Sequence, residues 1–265
     1  MPEITHGNLQ MYYESHGHGD ALILIRGLGS NADHWYPQLP DLSGHFRVIT
    51  FDNRGIARSS DPGGAFTIKD MAEDTIGLMD ALGIKQAHIL GVSMGGMIAQ
   101  EMAIAYPQRV RGLILVVTHC GGKHQVVADD SVRRKLQGMV AEGTLEARAD
   151  AIDAFFASET IEKRPQVVQT FANVSMQHPA GPGILQRQLE AVAGHDTYDR
   201  LERIKAPALV LAGEQDALIP PANAGILADR IPNADLRLVP GGGHQILVEQ
   251  SQLCNQAIVA FLMVR

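Results

Sequence analysis

The chain has 265 residues, 45% hydrophobic and 19% charged, so it can bury one large core and is expected to form a single globular unit. Its net charge of -7 and its scattered Lys and Arg argue against nucleic acid or an anionic membrane as a main partner. It has two cysteines, no apolar run near the roughly 20 residues that span a bilayer, and no signal-like start. We therefore expect a cytoplasmic protein without a disulfide framework.

The first part of the chain contains short apolar runs typical of strands. Residues 3–15 alternate loosely as a hairpin about Gly7, and buried strands are predicted at Ala21–Ile25 and Arg47–Phe51. A helix is predicted next, because Thr67 resembles the start of a capping box and apolar residues recur at helical spacing as far as Gly83.

Further strands are predicted at 87–90, 112–117, 206–213 and 236–239, and helical segments separate most of them. Strands that alternate with helices of this length indicate βαβ units, so the sequence predicts an α/β fold with a mostly parallel sheet. Residues 119–199 differ, because strand-like runs vanish there and helical spacing takes over. We predict a helical insertion after the sixth strand.

Ser93 lies in a Gly-x-Ser-x-Gly pattern between the predicted strand at 87–90 and a run at 96–103 that is predicted to be helical. Glycine on both sides suits a serine that occupies a strained turn from strand to helix. Such a turn exposes the hydroxyl to a substrate and to a base. The pattern therefore indicates a nucleophile elbow.

Asp216 and His244 each follow a predicted strand, and they come after Ser93 in the order acid, then histidine. Side chains just beyond the carboxyl ends of parallel strands meet at the ligand-binding edge of the sheet. His244 can take the proton of the serine hydroxyl, and Asp216 can orient the imidazole. Asp196 and Asp199 are weaker candidates for the acid, because they do not follow a predicted strand.

The glycine-rich turn at 26–30 directly follows the strand Ala21–Ile25. Such a turn can aim the backbone N–H of Leu28 at the same point as the N–H of Met94, the residue after the nucleophile. The two amides would form an oxyanion hole. The alternative is an ordinary glycine turn.

With these motifs, the chain resembles the α/β-hydrolase superfamily, and in particular members similar to 3-oxoadipate enol-lactonase and to carboxylesterases. The resemblance rests on residues 28–35, 37–39, 51–55, 91–100, 213–216 and 242–244. It implies an eight-stranded, mostly parallel sheet flanked by helices, with a core of residues 1–118 and 200–265 and a helical cap of residues 119–199. It also implies that cap residues line the substrate pocket; the candidates are Phe155, Phe156, Phe171 and Met176.

Three further residues are candidates for substrate contact. Members of the family usually carry His-Gly in the oxyanion loop, where this chain has Arg26-Gly27, so Arg26 and Gly27 are expected at the pocket. An arginine there would favour a substrate that bears a carboxylate. His119 follows the sixth strand and would either face the pocket mouth or pack at the edge of the core.

We expect a serine hydrolase that cleaves a small ester or lactone through an acyl-enzyme intermediate. The cap histidines lack the spacing of a metal site, and no glycine-rich stretch has the spacing of a nucleotide loop, so no metal or cofactor is predicted. One alternative is a C–C bond hydrolase of the meta-cleavage-product type. Another is a slow-turnover receptor for a small ligand on a hydrolase scaffold. The sequence leaves a homo-oligomer open.

Overall fold

Eight strands form one sheet in the computed structural model, which describes residues 2–264. The strand order is β1-β2-β4-β3-β5-β6-β7-β8; β1 and β2 are antiparallel to their neighbours, and the other strands are parallel. The strands are Glu3–His6 (β1), Leu9–His16 (β2), Ala21–Ile25 (β3), Arg47–Phe51 (β4), Ala87–Val92 (β5), Val110–Val116 (β6), Ala208–Gly213 (β7) and Ala234–Val239 (β8).

The central strands β3, β5 and β6 are mostly apolar and buried, because helices cover both faces of the sheet. In β3, Ile23 and Ile25 point into one apolar cluster and Leu22 and Leu24 into the other. The helices are Leu39–Leu42 (α1), Ile68–Ala81 (α2), Met94–Ala105 (α3), Asp130–Glu142 (α4), Leu145–Asp150 (α5), Ile152–Phe155 (α6), Ser158–Lys163 (α7), Pro165–Gln177 (α8), Pro182–Ala193 (α9), Ala222–Arg230 (α10), Ile246–Glu249 (α11) and Ser251–Leu262 (α12).

The predicted α/β-hydrolase architecture is confirmed, with small changes at the ends of elements. The capping box at the start of α2 is present, because Thr67 and Asp70 exchange hydrogen bonds between side chain and backbone. The sixth strand ends at Val116, one residue earlier than predicted, because Val117 has a φ of 44° and leaves the extended conformation. That value is unusual for a β-branched residue.

The helices α4–α9 form a continuous insertion between β6 and β7, called the helical insertion below. The segments that flank it on the two sides are hydrogen-bonded to each other. The amide of Gly122 donates to the carbonyl of His195 at 3.1 Å, and the amide of Thr197 donates to the carbonyl of Cys120 at 2.8 Å. The division of the chain at 118/119 and 199/200 stays a prediction. Within residues 2–264, no helix has the length and apolar character needed to cross a bilayer.

Candidate active site

Ser93 occupies a sharp turn between β5 and α3 and has a φ of 56°. The neighbouring glycines are required by space. A Cβ on Gly91 would lie 2.2 Å from the carbonyl oxygen of Gly95, and a Cβ on Gly95 would lie 2.2 Å from that of Ile25. Backbone strain of this kind is typical of functional sites. The turn has the conformation that the Gly-x-Ser-x-Gly pattern predicts.

Two groups hold the backbone of Ser93 in place. Its amide donates to the carbonyl of Val116 at 2.9 Å, and its own carbonyl accepts from the hydroxyl of Thr118 at 2.8 Å. A Cβ on Gly96 would come within 2.6 Å of the Thr118 Cβ atom, so the second glycine after the elbow allows this close approach. Thr118 was not among the predicted residues, because the contact joins the segments that follow β5 and β6, which are distant in sequence.

Asp216 and His244 form a buried hydrogen-bonded pair. The distance from Asp216 Oδ2 to His244 Nδ1 is 2.9 Å, and the exposed fractions of the two side chains are 0% and 3%. The amides of Leu218 and Ile219 donate to the other carboxylate oxygen at 3.0 and 2.8 Å. These bonds orient the carboxylate and favour the tautomer with the proton on Nδ1, which leaves Nε2 able to accept a proton.

A cavity of about 450 Å³ is lined by all of the predicted site residues except Asp216. Ser93 and His244 both line it, and its remaining wall is mostly apolar and is supplied largely by the helical insertion. The cavity is large enough for a small molecule. All four of the predicted cap residues contribute to the lining, namely Phe155, Phe156, Phe171 and Met176.

The turn after β3 passes close to Ser93. A Cβ on Gly27 would lie 3.0 Å from the Ser93 Cβ atom and 3.6 Å from its Oγ, so glycine allows the backbone to approach the hydroxyl. Leu28 and Met94 also line the cavity. The amide of Gly29 donates to Gln188 Oε1 in α9 at 2.9 Å, and this bond fixes the far end of the turn.

Arg26 lines the cavity and is buried, with 2% of its surface exposed. Its guanidinium carbon lies 4.7 Å from the centre of the Trp35 ring. Among the described residues, Nε and Nη1 have no hydrogen-bond acceptor. Burial lowers the pKa of Arg26 to about 10, so the side chain stays charged at neutral pH. The site therefore contains a buried cation without a carboxylate partner in the described chain.

His119 lines the same cavity at the end of β6. The amide of Gly121 donates to its Nδ1 at 3.0 Å, so the ring proton of the neutral imidazole lies on Nε2. Burial, and then the charge of His244, lowers the pKa of His119 to about 4. His119 is therefore a neutral hydrogen-bond donor at physiological pH.

Polar contacts join the helical insertion to the loops that carry the site. Glu249 is buried, and its Oε2 accepts from the amide of Ala157 at 2.9 Å and from the hydroxyl of Thr160 at 2.8 Å. His34 Nε2 lies 2.9 Å from Ser175 Oγ in α8. No local sequence pattern predicted these residues, since each contact joins segments that are distant in the chain. In the described part of the chain, no group of three or more His, Cys, Asp or Glu could hold a metal ion.

Comparisons with known proteins identify the family and the fold. Residues 20–251 match the protein family described as the alpha/beta hydrolase fold. A protein of Azorhizobium caulinodans named as a carbamate hydrolase, RutD, is 30% identical over 262 residues, which are 98% of each chain.

Two solved structures are also similar. The enol-lactonase from Burkholderia xenovorans LB400 has a TM-score of 0.88 and 27% identity, covering 99% of this chain and 100% of that one. A thermophilic esterase from Thermogutta terrifontis has a TM-score of 0.85 and 28% identity, covering 99% of this chain and 98% of that one.

Proposed function

The chain belongs to the α/β-hydrolase fold family, and we propose that it is a serine hydrolase that cleaves a small carboxylic ester or lactone through an acyl-enzyme intermediate. One observation carries the proposal. His244, which is hydrogen-bonded to Asp216, lines the same apolar cavity as Ser93, and Ser93 is held at a positive φ on its elbow.

In the proposed first step, Ser93 Oγ attacks the substrate carbonyl carbon while His244 Nε2 takes the hydroxyl proton. The carbonyl oxygen becomes an oxyanion, which the amides of Leu28 and Met94 stabilise. The C–O bond to the leaving group then breaks, and the leaving oxygen receives the proton from His244. Asp216 stabilises the imidazolium during this step.

In the second step, water attacks the acyl-enzyme carbonyl and gives its proton to His244. The second tetrahedral intermediate collapses, the bond to Ser93 Oγ breaks, and the serine regains its proton from His244. An ester gives a carboxylic acid and an alcohol. A lactone gives one hydroxy acid, and an enol-lactone gives the keto tautomer of that acid. No other reactant is needed.

The polar groups of the cavity support a proposal about the substrate. The buried charge of Arg26 would bind a carboxylate on the substrate, because a buried ion pair with direct hydrogen bonds is much stronger than one in water. Gly27 would contact the substrate through its backbone. The Nε2–H of His119 would donate to a substrate oxygen, while the apolar walls accept a hydrocarbon chain.

The test is hydrolysis of p-nitrophenyl esters over a range of acyl lengths, with wild type beside Ser93→Ala and Ser30→Ala. Ser30 lines the same cavity but is not on the elbow, so Ser30→Ala is the matched control. We expect Ser93→Ala alone to lose turnover and to lose the adduct of a fluorophosphonate probe in mass spectrometry. Turnover or labelling that persists in Ser93→Ala would rule out Ser93 as the nucleophile.

Two other activities are separated by the choice of substrate. A carbamate presents a similar carbonyl to Ser93, and the name of the Azorhizobium caulinodans relative makes carbamates a substrate class to assay. A C–C bond hydrolase would prefer a vinylogous diketone to an aryl ester. We favour ester or lactone cleavage over C–C bond cleavage, because the enol-lactonase and the esterase are similar to this chain at 27% and 28% identity over nearly its whole length.

A receptor that binds a small lactone without efficient turnover is the remaining alternative. Two results together would favour the receptor. Turnover of every ester, lactone and carbamate would be far below about 1 s⁻¹, the low end for typical enzymes, and one lactone would bind tightly. The buried Asp216–His244 pair argues for catalysis, since a receptor has no need of a group that accepts a proton beside a strained serine.

A further inference from the structure

The last strand of the sheet, β8, has one open edge. Within residues 2–264, β8 pairs only with β7, and it is the terminal strand in the sheet order. Four of its six residues are exposed, and these include two large apolar side chains, Leu236 at 41% and Leu238 at 46%. An exposed apolar edge strand is a site at which another strand can pair.

The hydrogen bonds to β7 show which backbone groups point outward. Ala208 N donates to the carbonyl of Asn233, and Glu214 N donates to that of Val239. Because alternate residues of a strand direct both N–H and C=O to the same side, the odd-numbered residues of β8 face β7. The N–H and C=O groups of Ala234, Leu236 and Leu238 therefore point to the open edge.

Two prolines limit this row of outward groups. Pro232 precedes β8 and Pro240 follows it, and neither has an N–H to donate. The two prolines are equally distant from Leu236 along the chain. The row of donors is therefore short and symmetric about Leu236, which favours a single register and a single closed pair over open-ended stacking.

We propose that β8 pairs antiparallel with β8 of a second copy of this chain, with the twofold axis at Leu236. In this register the two Leu236 residues donate to and accept from each other through their backbone N–H and C=O groups. Ala234 of each copy forms the same two hydrogen bonds with Leu238 of the other copy. On one face, the exposed leucines of both copies come together. The pairing joins the two sheets into one.

Charge complementarity supports the same register. Asp235 and Arg237 are the exposed charged residues of β8, and their side chains lie on the face opposite to Leu236. A twofold axis at Leu236 places Asp235 of each copy directly opposite Arg237 of the other. Opposite charges in directly opposed positions stabilise an antiparallel pair, and like charges destabilise it.

The first test is sedimentation velocity over a range of concentrations from about 1 µM to about 100 µM, the affinity range of a small interface. We expect wild type to dimerise. Leu236→Pro removes no hydrogen bond to β7, because the N–H of Leu236 points away from that strand, so circular dichroism and thermal melting should show a folded protein. We expect the variant to dimerise about 10- to 100-fold more weakly, since two hydrogen bonds on the axis are lost.

The second test uses charge reversal and is independent of backbone changes. Arg237→Asp places two acids opposite each other in a homodimer, and Asp235→Arg places two arginines opposite each other, so each variant alone should be mostly monomeric. An equal mixture should form heterodimers, because every opposed pair is then of opposite charge. Wild type that stays monomeric at the highest concentration would overturn the proposal. So would a dimer that survives all three substitutions, or a charge-variant mixture that stays monomeric.

Discussion

The carboxylate of Glu249 accepts a hydrogen bond at 2.9 Å from the amide of Gly243, the residue immediately before His244. Its other oxygen accepts from the amide of Ala157 in the helical insertion. One buried carboxylate therefore joins the histidine loop to the segment that covers the cavity. The position of His244 depends on this carboxylate as well as on Asp216.

We predict that Glu249→Gln lowers kcat by about tenfold and the free energy of unfolding by about 2 kcal/mol, because its new amide group faces backbone donors in a buried site. The measurements are steady-state kinetics and urea unfolding. Glu159→Gln, an exposed glutamate of the helical insertion, is the control and should change neither. An unchanged kcat in Glu249→Gln would mean that Glu249 stabilises the fold without positioning His244.

Arg26→Met should raise the KM for an ester that bears a carboxylate by about 10- to 100-fold, since the buried cation is lost. The KM for a neutral ester of the same length should change little, because methionine keeps most of the apolar volume. Kinetics with the two esters, for wild type and variant, measure the difference. An equal change in KM for both esters would exclude Arg26 as the carboxylate-binding group.

His119 should make the stability of the protein sensitive to acid. The fold lowers its pKa from 6.5 to about 4, so below pH 6.5 the unfolded chain binds a proton that the folded chain does not. As the pH falls from 6.5 to 4, His119 should lower the free energy of unfolding by about 1 kcal/mol for each pH unit. Above pH 6.5, the contribution of His119 to this free energy should not change with pH.

Urea unfolding of wild type and His119→Asn across this range measures the contribution of His119. Asparagine keeps an acceptor for the amide of Gly121 but does not titrate, so the slope should be smaller in the variant. The buried His34 and His195, with pKa values lowered to about 3, should retain their own share of the acid sensitivity. Identical slopes would show that His119 is not held neutral by the fold.

Ala57→Gly should stabilise the protein by about 1 kcal/mol, because Ala57 has a φ of 47° and is exposed, so glycine relieves backbone strain without loss of packing. Urea unfolding measures the change. Gly83→Ala is the reverse substitution at a φ of 68° with open space around it, and it should destabilise by a similar amount. A loss of stability in Ala57→Gly would mean that the entropy of the unfolded chain outweighs the strain.

The fold could be predicted because its signals are local. Apolar runs marked the strands, and Ser93, Asp216 and His244 each follow a strand at the same edge of the sheet, where the structure brings the acid and the histidine together. The number of strands followed from the resemblance to the family, whereas their order in the sheet was not predicted.

The partners of these residues could not be predicted in the same way. Glu249, Thr118 and Gln188 act through contacts between distant segments, and their sequence surroundings are those of ordinary helix and loop residues. The end of β6 was also missed by one residue, because the positive φ of Val117 depends on packing and has no signature in a β-branched residue. Tertiary context decides such features.

The chain enters and leaves the helical insertion at neighbouring points, where Gly121 forms a bridge with Asp196. The separation between the point where the chain leaves the core and the point where it returns is therefore small, however many residues the insertion contains. Segments of different length and shape can be exchanged there, by recombination in nature or by grafting in the laboratory, while the strands that carry Ser93, Asp216 and His244 keep their spacing. The lining of the cavity can thus change while the elements that hold Ser93 and His244 stay the same.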